Sequence, residues 1–271
     1  MFKGGTCLIS CYLGYFRFSE DIDFTWVDQS IFQHKSQKEI RRKISRLKNT
    51  LGLLIASTAK KHGFDFQLHG PKNDYIEFGG GNKTITYKLW YDSVILKTRS
   101  FIKIQINFVD ILRFPLRKQT VQSLLAQKKD TELAVLFEEE YAAYTQEILL
   151  RTYDIKEILC EKVRAILTRQ GIKARDFVDL YLIEKQTGTP IRSYTKEIVE
   201  KTQFILDLYE KYQTNFLVNA RLIESGTMFR WGTERDLLLL DIDEKEFYRF
   251  VQKLQEQLHD IVQELSATIS Y

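Results

Sequence analysis

The chain has 271 residues, 44% of them hydrophobic and 28% charged, with a formal net charge of +4. That length suits one large domain or two modest ones around a substantial core, and only three prolines argue against long disordered linkers. The mild positive charge permits a nucleic-acid or nucleotide partner without requiring one.

Residues 6–14 form an apolar run after a glycine pair and predict a short helix opened by a turn. Residues 17–26 alternate, with Arg17, Ser19, Asp21 and Asp23 on one side and Phe18, Ile22 and Phe24 on the other, which predicts a strand. Glu20 interrupts its apolar face, so the strand is expected to start near Asp21. Over residues 36–62, Ile40, Ile44, Leu47, Leu51, Leu54 and Ile55 recur at helical spacing among residues that are mostly Lys and Arg, and Gly63 closes the helix. Short strands are predicted at 64–69, 75–78 and 84–90. The glycines of residues 79–82 lie between β-like runs with no helix after them, so they read as a hairpin turn and not as a phosphate loop.

Residues 100–112 are the clearest strand, with Ile102, Ile104 and Ile106 facing one way and Lys103, Gln105 and Asn107 the other. After Pro115 the pattern turns helical over most of 121–147, 156–186, 196–212 and 244–266, with one last strand expected near 148–151. The expected fold is therefore α+β (α/β): a mixed-sheet core over residues 1–120 and a mainly helical half over residues 121–271.

Cys7, Cys11 and Cys160 lack the paired spacing of zinc ligands, and Cys7 and Cys11, four apart in an apolar helix pattern, are read as buried thiols. No stretch reaches the roughly 18–20 apolar residues of a membrane span. The amino terminus lacks a secretory pattern. The expected compartment is the cytoplasm, with no membrane partner.

Chemistry concentrates at the start of the chain. Two carboxylates one residue apart on a strand, Asp21 and Asp23, point to one face with their Cα atoms about 7 Å apart. They can hold Mg²⁺, which favours oxygen ligands and keeps phosphate oxygens and water in its other positions. Gly4, Gly5 and Thr6 supply a turn without bulky side chains, where backbone N–H groups and a hydroxyl can approach a phosphate at a helix start. A second such triplet, Asp241-Ile242-Asp243, has no glycine pair upstream and is expected only to start the helix after it.

"KGGT" at residues 3–6 and "RFSEDIDF" at 17–24, followed by "EKVRAIL" at 161–167 and "RDFVDLYLI" at 175–183, resemble the AbiEii/AbiGii-type nucleotidyltransferase family. These are toxins of bacterial abortive-infection and toxin–antitoxin systems, within the DNA polymerase β-like superfamily. The resemblance spans residues 3 to 183. It implies that Gly4, Gly5 and Thr6 hold a nucleoside triphosphate, that Asp21 and Asp23 bind Mg²⁺ or Mn²⁺, that Lys162 contacts phosphate oxygens and that Asp176 supports the site. It also implies a cognate antitoxin. Which of ATP, GTP or CTP is used stays open.

Without the resemblance, Lys162 reads as a solvated helix lysine, Asp176 has helix capping as its alternative, and Asp179 reads as a supporting acid. Arg17 and Ser19, on the face of the aspartates, either touch substrate or orient the strand. The superfamily's third carboxylate is expected on the strand of residues 102–108, which offers Gln105 and Asn107, and neither can act as a base. Asp110 serves only if a bulge re-aims it. A strand or helix normally precedes the glycine pair, and residues 1–3 are short for one, so the expectation is a start further upstream or a core without that element. Lys97, Arg99, Lys103, Arg113, Arg117 and Lys118 read either as a solvated basic surface or as the footprint of a polyanionic acceptor, RNA and plausibly the tRNA 3′ end. The competing readings are transfer to a small molecule or a protein, and a nucleotide- or RNA-binding module without turnover.

Overall fold

A computed structural model describes residues 1–32, 35–71 and 73–269. In chain order it contains β1 (Phe2–Lys3), α1 (Gly4–Leu8) continuing into a π-helical turn (Ile9–Leu13), β2 (Asp21–Thr25), α2 (Gln37–Lys61), β3 (Ile76–Gly79), β4 (Thr84–Asp92), β5 (Arg99–Asn107) and β6 (Arg117–Val121). Then follow α3 (Leu124–Lys128), α4 (Thr131–Leu136), α5 (Glu138–Thr145), β7 (Ile148–Thr152), α6 (Ile155–Thr168), α7 (Ala174–Thr187), α8 (Thr195–Leu208), α9 (Glu210–Glu224) and α10 (Glu244–Ile269). The fold is α+β, as the sequence predicts. Its contacts define two compact units whose pieces interleave along the chain. The first unit takes Met1–Cys7, Ser19–Ile111 and Leu150–Thr152; the second takes Leu8–Phe18, Leu112–Leu149 and the chain from Tyr153 onward.

In the first unit the strands lie in the order β3-β4-β5-β2-β1-β7. β2 runs parallel to β5 and β1 parallel to β7, while β1–β2, β3–β4 and β4–β5 are antiparallel. A strand does precede the glycine pair: β1 needs only Phe2 and Lys3, set against Phe24 and Asp23. Directly paired residues share a face, so Ile22, Phe24, Ile104, Ile106, Ile85 and Tyr87 point one way. α2 covers that side, with Ile40, Ile44 and Ile55 joining Ile85, Tyr87 and Ile106 in one core. α2 starts in a capping box in which Ser36 and Glu39 satisfy each other's backbone N–H groups.

β3 and β4 form the predicted hairpin, with Gly79 opposite Thr84 and Gly81 in the left-handed region at φ 60°. The strand expected at 64–69 is reduced to one bridge, Asp65 to Trp90. Its alternating Phe64, Phe66 and Leu68 do pack on the core, but β3 already occupies the edge of β4 as far as Tyr87. Only the last residues of β4 are left to pair.

In the second unit β6 is a strand where the sequence pattern suggests only an approach to helix. β7 is the last strand expected near 148–151, and its first two residues count with this unit. The helical pattern of 156–186 is two helices, α6 and α7, separated by a turn containing Gly171 at φ 73°. The pattern at 196–212 also divides, at Tyr209, whose extended backbone ends α8, and α9 then runs on to Glu224. Ile158, Phe177, Ile198, Phe216, Phe247 and Leu258 are among the buried side chains of the second unit. Asp243 accepts a 3.0 Å bond from the Glu246 N–H, so the second acidic triplet is a helix start, as predicted.

Candidate active site

Within the first unit, the face of the sheet opposite α2 is polar. Register places Lys3 beside Asp23, Asp23 beside Gln105, Asp21 beside Lys103, and Thr86 beside Gln105. β2 starts at Asp21, the residue the broken alternation indicates. The two carboxylates thus share one face of a central strand, both half-buried. Asp21 is ion-paired with Lys103 at 3.3 Å.

The glycine pair closes against this strand. Gly4 has φ +78°, and a Cβ built on it would lie 2.5 Å from Oδ2 of Asp23. Two separate requirements, a left-handed backbone and a close approach to the Asp23 carboxylate, therefore fix glycine here and make Gly4 and Asp23 a tight cradle. Gly5 is the second residue of α1. The Thr6 hydroxyl donates to the Asp21 carbonyl and lies 2.9 Å from the Ser19 hydroxyl. Thr6 thus ties the turn to the start of β2 and to Ser19.

Asp110 does reach the polar face. β5 ends at Asn107, and the irregular chain beyond it brings Asp110 within 3.4 Å of the Lys3 ammonium and 3.3 Å of the Asn107 amide. Gln105 stands where a third acid is expected, in register with Asp23. Among the described residues no three His, Cys, Asp or Glu side chains converge as a ready metal cage. The donors nevertheless fit Mg²⁺. Two partly exposed carboxylates share one face of β2, and Mg²⁺ ordinarily takes one or two protein carboxylates and fills its octahedron with water and substrate oxygens.

In the second unit, Lys162 and Asp176 meet. The Lys162 ammonium is 2.9 Å from Asp176 and 2.5 Å from Asp179. Arg169 adds a 2.6 Å bond to Asp176. Arg17 grips Asp179 with Nε and Nη2 at 2.7 and 2.8 Å. Three cations face two carboxylates, leaving the group a formal charge of +1. Burial alone would raise the Asp179 pKa, yet Lys162 and Arg17 hold it below the usual carboxylate value. Burial would lower that of Arg17, and Asp179 reverses this.

Lys162 is therefore no solvated lysine; it is buried. Asp176 does not cap its helix: Lys173 holds the N-cap position of α7, and the Asp176 carboxylate is spent on Lys162 and Arg169. Arg17 lies outside β2 and serves Asp179. Arg169 and the buried Lys201–Glu157 pair escaped sequence reading. The unusual density of charge within the apolar pattern of α6 is the signal that could have found Glu157.

The suspected basic cluster is largely paired. In the first unit Arg99 meets Asp65 and stacks on Trp90, and Lys103 meets Asp21. In the second, Arg113 meets Glu200 and Arg117 meets Asp154. Cys7 and Cys160 are buried and Cys11 is half-buried. None of the described helices is long and apolar enough to cross a membrane.

No curated protein matches the chain. Two solved structures from Helicobacter pylori are similar. JHP933 shares 18% identity over 100% of this chain and 88% of its own, at a TM-score of 0.41. A "putative nucleotidyltransferase from H. pylori" shares 19% over 98% of this chain and 88% of its own, also at 0.41. The family model described as "Nucleotidyl transferase AbiEii toxin, Type IV TA system" matches residues 1–267. That match contains the cradle of Gly4 and Asp23 and the paired charges of Lys162 and Asp176, and the chain belongs to the AbiEii family of nucleotidyltransferase toxins.

Proposed function

We propose that this nucleotidyltransferase moves a nucleoside monophosphate from an NTP onto RNA, with a tRNA 3′ end as acceptor, and that it depends on Mg²⁺, with Mn²⁺ as a substitute. The observation that carries the reading is the close approach of the glycine turn to the Asp23 carboxylate, which is possible only because residue 4 has no side chain. In the reaction the acceptor hydroxyl oxygen bonds to the α-phosphorus, the bond to the bridging oxygen breaks, and pyrophosphate leaves while the hydroxyl proton passes to solvent.

Asp21 and Asp23 would hold the metal, which when bound supplies charge neutralisation to the phosphate oxygens. Gly4 and Gly5 let the backbone approach the triphosphate, and Thr6 keeps that turn fixed to β2. Lys162 offers positive charge to phosphate oxygens from a group with an excess cation, and Asp176 orients it. Residues 1–120 would supply the nucleotide-binding core and residues 121–271 the helical half. The NTP and tRNA substrates put the enzyme in the cytoplasm, where its antitoxin would counter it.

The test is incubation with each labelled NTP, Mg²⁺ and total tRNA. Label on tRNA that disappears in Asp21→Ala and Asp23→Ala supports the proposal. Label on a metabolite or on protein would replace the RNA acceptor. Loss of about 4 kcal/mol of transition-state stabilisation, roughly 10³-fold in rate, is expected from each substitution.

A further inference from the structure

α2 is chemically lopsided. Its only acid is Glu39, whose carboxylate is engaged by the Ser36 N–H and hydroxyl. Lys38, Arg41, Arg42 and Arg46 are all exposed. Their positions fall within one face by helical spacing, and successive positions of Lys38, Arg42 and Arg46 are about 6 Å apart along the axis. Among the described residues none of the four enters an ion pair. That sets them apart from Lys88, Arg99, Lys103, Arg113, Arg117, Lys185, Arg235 and Lys253, each of which has an acidic partner. Among the described residues, no acid on the same helix face faces this row.

We propose that the outer face of α2 is a docking surface for the RNA phosphate backbone. Like charges at i and i+4 on a helix repel, so a row kept free of counter-charges within the fold calls for one from outside. A regularly charged polyanion supplies it and gains by releasing its counterions. A lipid surface fits less well. A helix lying in a membrane interface must bury an apolar face there, and Ile40, Ile44 and Ile55 are already spent on the core of the first unit. Of its large apolar side chains, Leu53 and Leu54 remain exposed, beyond the basic row. This inference rests on the RNA-acceptor reading and gives it a surface in residues outside the candidate site.

The experiment measures binding of a tRNA transcript by fluorescence anisotropy from 50 to 300 mM KCl, on the full chain. The Lys38→Gln/Arg42→Gln/Arg46→Gln variant should weaken binding and make the slope of log affinity against log salt shallower by roughly 2 to 3. Lys60→Gln/Lys61→Gln, on exposed lysines at the far end of the same helix, should leave the slope unchanged. Circular dichroism checks that both variants fold. An unchanged slope in the triple variant, or an equal fall in the control, overturns the docking surface while leaving the RNA acceptor intact. RNA binding that depends on α2 with no label transferred to RNA preserves the surface and removes the acceptor reading. No binding by the wild type removes both. Loss of binding to phosphatidylserine vesicles, with RNA binding intact, would make the face a membrane contact and overturn the proposal.

Discussion

Arg17 and Asp179, 162 residues apart in sequence, are joined by two parallel hydrogen bonds of 2.7 and 2.8 Å, with both side chains almost wholly buried. Removing one partner strands the other without solvent. Arg17→Ala is expected to cost about 3–5 kcal/mol in chemical denaturation. Arg17→Lys should recover only part of that, because an ammonium cannot reproduce the planar two-bond grip. Equal stability of the Ala variant and the wild type would mean that Lys162 alone suffices for Asp179.

The same carboxylate sets an acid limit. Its folded pKa lies below its unfolded value near 3.8, so its ionised form favours the native state. This contribution is fully present above the unfolded value and disappears as pH falls through the folded one. The stability difference between wild type and Asp179→Asn should therefore hold from pH 7 to about 5 and narrow below pH 4. Urea titrations at stepped pH measure it, and a difference that widened on acidification would contradict the sign.

Gly4→Ala brings a methyl into the space of the Asp23 carboxylate and strains a left-handed backbone. Displacement of the carboxylate by about 1 Å is expected to lower kcat/KM by roughly 10²-fold. Strain of about 1–3 kcal/mol should show in thermal unfolding. Full activity with an unshifted melting point would dismiss the cradle.

Gln105 lies in register with Asp23 on a neighbouring parallel strand. Gln105→Glu places a third carboxylate on the polar face. Without metal, the added repulsion should lower the melting temperature. With Mn²⁺, calorimetry should find tighter binding and a larger thermal shift than in the wild type. A variant that binds Mn²⁺ no better would show that residue 105 points away from the metal-binding oxygens.

Much of the first unit was legible because its periodicities are strong. β2 and β5 alternate, α2 carries a repeated apolar stripe, and the glycine pair marks a turn. The strand missed at β6 and the one wrongly expected at 64–69 have a common cause. Whether a short alternating segment becomes a strand depends on which sheet edge is free, and this is not written within the segment. Gly4, Asp21 and Asp23 were readable from local spacing. The partners of Lys162 were not, because a lysine on a helix looks alike whether solvent or two buried aspartates surround it. Asp110 was misplaced for a simpler reason: the alternation argument assumes a strand, and β5 ends at Asn107.

The interleaving of the two units also bears on synthesis. β1 pairs through Phe2 with Thr152, and Arg17 must wait for Asp179. At roughly 5–20 residues per second, a ribosome needs ~8–30 s to travel from the first of these strands to the second. During that interval the glycine strand lacks one neighbour and Arg17 lacks its counter-charge. A nascent chain arrested before residue 150 is expected to be open to protease near its start, and one released at full length to be resistant. Closure of the glycine strand and of the Arg17 pair thus waits on residues made long after them.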